Sequence, residues 1–168
     1  MSEFSRIYRQ HALPAGAQQL VATAEECAAL AKRFDLIAVT SLDATVALTP
    51  DGPNVQAKGR LQAQIVQPCA VSAEELDVTI DEPVALRFVP ALAAPDPDAE
   101  IELAEGELDD IEMAGGQFDL GEALAQSLGL AIDPYLTGPL AEEARRRAGL
   151  VGEGETGPFA ALKGLLKD

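Results

Sequence analysis

Between Leu42 and Ile65 the chain alternates apolar and polar positions almost without a break. Leu42, Ala44, Val46 and Leu48 are separated by Asp43, Thr45 and Ala47, the period of two that sends successive side chains to opposite faces of a strand. Thr49-Pro50-Asp51-Gly52-Pro53 then supplies turn chemistry: φ is fixed at Pro50, and Gly52 tolerates positive φ. The return run puts Val55, Ala57, Gly59, Leu61, Ala63 and Ile65 on one face and Gln56, Lys58, Arg60, Gln62 and Gln64 on the other. This predicts an antiparallel hairpin with one buried and one wet face.

A further strand pair is expected from Leu76, Val78 and Ile80, then Val84, Leu86 and Phe88. Asp81-Glu82-Pro83 separates the two runs, since proline is tolerated in a strand only at an edge or a bulge. Leu108, Ile111 and Met113 suggest a short strand that ends at Gly115-Gly116.

Helical spacing appears in three places. Thr23, with Glu26 three positions on, has the capping-box spacing and predicts a helix over about Ala24 to Phe34, with Cys27 as a small buried thiol. Asp119 and Glu122 stand in the same relation ahead of Leu120, Leu124, Leu128 and Ile132, and Leu130 is expected to widen that apolar face. Asp133-Pro134 stops this second helix. A third, about Pro139 to Ala148, has Glu142 and Glu143 early and Arg145, Arg146 and Arg147 late, matching the helix dipole.

The expected fold class is therefore α+β, a single domain over residues 1–148. A curved antiparallel sheet of hairpins, from about Ile37 to Val89, is packed by one or two helices. Pro90 to about Leu108 is an acidic loop rich in proline and small residues, and its first part reads as mobile. Residues 149–168 read as a flexible linker and a C-terminal amphipathic segment. In that segment Phe159, Leu162, Leu165 and Leu166 form an apolar arc beside Lys163 and Lys167. Phe159, Leu162, Lys163, Leu166 and Lys167 are candidate docking residues.

Composition supports a folded protein: 168 residues, 48% apolar and 24% charged. No apolar run approaches the roughly 18 residues of a membrane span, and the N-terminal stretch lacks an apolar core of secretory length. Cys27 and Cys69 are the only cysteines, too few for a disulfide framework. The expected setting is a reducing cytoplasm.

Charge sharpens the picture. The net charge is −16, yet Phe88 to Ala144 holds 14 of the 28 acidic residues and no lysine or arginine. The rest of the chain, with 12 basic and 14 acidic residues, is nearly balanced. The acidic sector reads either as a solvated stretch or as a surface that attracts a basic partner. Glu105, Glu107, Asp109 and Asp110 are its candidate contacts. Lys58 and Arg60 fit an ordinary solvent-facing sheet, or contact with RNA phosphate or a partner. Arg145, Arg146 and Arg147 complement the helix dipole or serve the same contact.

Candidate chemistry is sparse. His11 is the sole histidine, lies in an irregular N-terminal stretch, and pairs with no nucleophile at a recognisable spacing. Gly115-Gly116 lacks the spacing and lysine of a phosphate loop. Carboxylates between Asp96 and Glu112 lack the ligand pattern of a calcium loop. Cys69, with Ser72 where a C-x-x-C pair would place its second sulfur, reads as a buried structural cysteine. The expectation is no enzyme, no cofactor and no metal.

Taken in order, several features resemble one family. They are a hairpin region ending in a cysteine, a second strand pair, an acidic linker, LDDIEMAGGQFDLGEALAQSLGLAIDP and a closing PFAALKGLLK. Together they are similar to the YceD family, the large ribosomal RNA subunit accumulation proteins of bacteria and plastids. The resemblance covers most of the chain after about Asp35. It implies a role in making, processing or stabilising the 23S ribosomal RNA, without a known catalytic activity. The net charge of −16 then favours capture of a basic ribosomal protein by the acidic sector over direct contact with that RNA through Lys58, Arg60 and Arg145–Arg147. Many members carry C-x-x-C where this chain has Cys69-Ala70-Val71-Ser72, and some carry a further cysteine after the helix, where this chain has none. A zinc role is therefore not carried over. The alternative is an acidic interaction adaptor with no ribosomal role.

Overall fold

A computed structural model describes residues 2–91 and 109–149. The chain divides into two compact units. One takes the chain up to Val66 together with Asp77–Ile132; the other takes Gln67–Leu76 together with Asp133 onward.

The fold class is α+β, as the periodicities predict. A five-stranded sheet has the order β2-β3-β4-β5-β6, with β2 Ala17–Val21, β3 Ala38–Asp51, β4 Asn54–Pro68, β5 Glu75–Pro90 and β6 Asp109–Met113. A second small sheet pairs β1 (Ile7–Arg9) with β7 (Gln117–Asp119). The helices are α1 (Ala24–Arg33), α2 (Leu120–Ala131) and α3 (Ala141–Arg147).

The hairpin of β3 and β4 runs antiparallel from Ala38↔Val66 to Asp51↔Asn54. Gly52 turns it at φ 58°, in the left-handed region where a residue without Cβ is unstrained. Leu42, Val46, Val55, Leu61 and Ile65 are buried on its inner face. Leu30 of α1 and Leu120, Leu124 and Leu128 of α2 join them in one core. Each such side chain contributes roughly 1.5–3 kcal/mol on burial.

Both predicted caps are present. The Thr23 side chain accepts from the Glu26 N–H while the Glu26 carboxylate accepts from the Thr23 N–H. The Asp119 side chain accepts from the Glu122 N–H at the start of α2.

Three features depart from the expectation. The runs on either side of Pro83 are not a strand pair but one continuous strand, β5. Among the described residues β6 pairs only with Leu86 to Pro90 of it, so no described strand lies beside Pro83 on that side, where a proline removes no ladder bond. β6 also runs parallel to β5; a parallel return needs a connection of about a dozen residues or more, which residues 91–108 supply in length. Finally, the N-terminal stretch is built into the fold. Phe4 is fully buried, Arg6 N–H donates to Asp119 Oδ1 at 2.7 Å, and Leu120 N–H donates to the Arg6 carbonyl at 3.0 Å.

Candidate functional site

The wet face of β4 carries the first pair of candidate cations. Thr45 faces Arg60 and Ala47 faces Lys58 in the ladder, and both basic side chains are exposed. They share a face, as the alternation predicts, but they differ in state. Arg60 Nε donates to Asp81 Oδ1, and that guanidinium holds the Asp81 carboxyl below its ordinary value. Lys58 forms no ion pair among the described residues. Among the described residues, then, Arg60 has a carboxylate partner and Lys58 has none.

The arginine triplet belongs to the second unit, on α3. Arg145 pairs with Glu142 and Arg147 with Glu143, the three- and four-residue spacings at which helix side chains meet. Arg146 alone has no ion pair among the described residues. Glu74 accepts from the Leu140 N–H at 2.9 Å, placing a carboxylate at the positive end of the helix. Arg145 and Arg147 thus have partners within their own helix.

Of the acidic candidates, Glu105 and Glu107 lie outside the described residues. Asp109 opens β6. Asp110 is held by Arg87 through two bonds, Nε to Oδ1 at 2.6 Å and Nη2 to Oδ2 at 2.7 Å, and the arginine lowers its carboxyl. Phe159, Leu162, Lys163, Leu166 and Lys167 also lie outside the described residues.

Cys69 is the most elaborated side chain of the second unit. Its buried Sγ accepts from the N–H groups of Val71 at 3.5 Å, Ser72 at 3.4 Å and Gly138 at 3.3 Å. The Ser72 hydroxyl beside the sulfur, followed by these backbone donors, brings the thiol down to about 7. That hydroxyl has one proton and directs it to Glu74 Oε1 at 2.9 Å, so the backbone donors are the constant contribution. Ala70 N–H to the Leu136 carbonyl adds a second clasp at 2.9 Å. Among the described residues no group of three or more His, Cys, Asp or Glu could hold a metal ion, so the sulfur's surroundings do not fit structural zinc, which takes about four ligands. His11, in a 3-10 turn of Gln10–Ala12, is exposed.

Two features escaped the linear reading. Gly138 meets Cys69 only through tertiary folding. Leu130, expected on the apolar face of α2, is 83% exposed. At about 100° per residue it falls far from the Leu120–Leu124–Leu128 stripe, so angular arithmetic would have found it.

No described helix is long and apolar enough to cross a membrane. No curated protein and no solved structure matches the chain. A family model does match, over residues 57–166, from β4 almost to the last residue; its description is large ribosomal RNA subunit accumulation protein YceD. The chain belongs to the YceD family.

Proposed function

We propose that the protein supports accumulation of the large ribosomal subunit in the cytoplasm, acting on the synthesis, processing or stability of 23S ribosomal RNA without catalysing a covalent step. The observation that carries this reading is the family match over residues 57–166. The sparse catalytic inventory is consistent with it: a single exposed histidine, and a buried thiol whose sulfur serves backbone donors.

Contact through a basic ribosomal protein is favoured over direct contact with RNA. Three of the five candidate RNA-contact cations, Arg60, Arg145 and Arg147, are engaged by carboxylates of the same chain. A net charge of −16 repels phosphate within a screening length of about 8 Å and attracts cationic protein.

Mapping of 23S precursor ends and decay rates in a strain lacking the protein tests this function. Accumulated precursor or a shortened 23S lifetime is expected. Unchanged ends together with an unchanged lifetime would contradict it.

A further inference from the structure

A groove of about 260 Å³ lies between β5 and the last turns of α2, lined by Glu82, Pro83, Leu86, Ser127, Leu130 and Ala131. Its walls come from two rules already at work in the fold. The period of two along β5 places Glu82 on the same face as buried Ile80 and Val84, so a carboxylate stands on the side of the strand that otherwise builds the core. Opposite it, Leu130 projects from α2 almost fully exposed. Ser127 is turned away from the groove's polar needs, its hydroxyl donating to the Ala123 carbonyl.

The groove's lining is almost as polar as it is apolar, with Pro83, Leu86, Leu130 and Ala131 supplying the apolar part, and its field is negative. α2 has no basic residue in its last turn, so the partial negative charge of its C-terminal carbonyls is uncompensated by the helix itself. Glu82 adds a carboxylate to the same groove and makes no hydrogen bond among the described residues. Arg60 feels the Glu82 field, but its guanidinium is bonded to Asp81 on the outer face. An aliphatic wall beside a carboxylate that has no hydrogen-bond partner among the described residues is complementary to an aliphatic side chain next to a lysine or arginine.

We infer that this groove docks a segment of a basic protein, an aliphatic side chain resting on Pro83, Leu86, Leu130 and Ala131 while a neighbouring lysine or arginine meets Glu82 and the end of α2. The inference rests on the proposed reading that the protein serves the large subunit through a basic ribosomal protein, and it assigns that contact to a place.

The test is site-specific photo-crosslinking with the full chain in cells, the probe being p-benzoylphenylalanine at position 130. Ribosomal particles are purified after illumination and the crosslinked peptide is sequenced. The expected result is a crosslink to one protein, at a segment with lysine or arginine beside an aliphatic residue, reduced at least tenfold when the same chain also carries Glu82→Lys. Crosslinks to ribosomal RNA or to a second copy of this chain, no crosslink, or a crosslink indifferent to Glu82→Lys would each overturn the docking site. Both positions are exposed, so the variants should fold, and an unchanged melting temperature verifies it. The large-subunit content of cells lacking the protein separates the two claims. If it falls while position 130 gives no crosslink, the docking site fails and the ribosomal role stands. If it is unchanged, the ribosomal role fails and the docking site, as assigned here, fails with it.

Discussion

Arg33, the last residue of α1, grips Glu122, in the first turn of α2, through Nη2 to Oε1 at 2.7 Å and Nη1 to Oε2 at 2.8 Å. The same Nη1 donates to Glu3 at 2.9 Å, and the Ser2 hydroxyl donates to Glu122. One guanidinium thus ties both helices of the first unit to the N-terminal segment. Its planar fork suits a two-point grip that a lysine would not reproduce.

That grip makes stability depend on acid. Arg33, offset in part by burial and helped by Ser2 and Gln126, lowers the Glu122 carboxyl from 4.5 to about 2. A lowered carboxyl contributes in full above its unfolded value and loses that contribution as pH falls from about 4.5 towards 2. Glu122→Gln should therefore cost on the order of 2–3 kcal/mol at pH 7. The gap between wild type and variant should close as pH falls through that window. Urea unfolding curves at pH 7, 4 and 3 check this; a gap that stays constant with pH would contradict it.

Gly121 lets the N-terminal segment approach α2. A Cβ there would lie 2.4 Å from the Phe4 carbonyl oxygen and 2.8 Å from the Arg6 nitrogen, and both are backbone atoms that cannot rotate away. Gly121→Ala should cost about 1–3 kcal/mol by overpacking, despite the better helix propensity of alanine. Hydrogen exchange at the Leu120 amide, which bonds the Arg6 carbonyl, should accelerate with it. A neutral or stabilising effect would show that the segment is not seated there.

The Cys69 sulfur organises its unit by accepting three N–H groups. Cys69→Ala leaves those donors without a partner, at about 1–3 kcal/mol for each that stays buried, so exchange at Gly138 should rise sharply. Elemental analysis of the purified wild type should find no stoichiometric zinc. One zinc per chain, or a Gly138 amide unaffected by Cys69→Ala, would refute this picture of the unit.

The charged surfaces separate the two modes of ribosomal contact. Neutralising Glu105, Glu107, Asp109 and Asp110 together should weaken association with large-subunit particles and flatten its salt dependence. Lys58→Ala with Arg60→Ala should leave RNA crosslinking unchanged. Loss of crosslinking in the cation variant, with no effect of the acid neutralisation, would mean that the protein touches RNA directly.

How far the chain announces its own fold depends on the range of the interaction concerned. The hairpin from Leu42 to Ile65 and the caps at Thr23 and Asp119 are legible because alternation and capping are local. β2 was not, because only Leu20 of its five residues is buried and so short a strand gives no period. Phe4 gave no signal either, since a lone aromatic in a polar stretch does not reveal the hole it fills. Periodicity splits β5 at Pro83 because the cost of proline depends on whether a neighbour strand is present, which a linear reading does not show; no described strand pairs with β5 there on the β6 side. The candidate cations were legible as positions, but not as ion pairs: Asp81 lies 21 residues from Arg60. The groove at Glu82 and Leu130 joins a strand and a helix distant in sequence, so neither residue stood out alone.

The most direct test of the central claim is the ratio of large to small ribosomal subunits, measured by gradient sedimentation in cells lacking the protein and in the same cells supplied with it again. The account predicts a deficit of large subunits with an excess of free small subunits, reversed when the wild-type chain returns. Superimposable profiles in the two strains would contradict it.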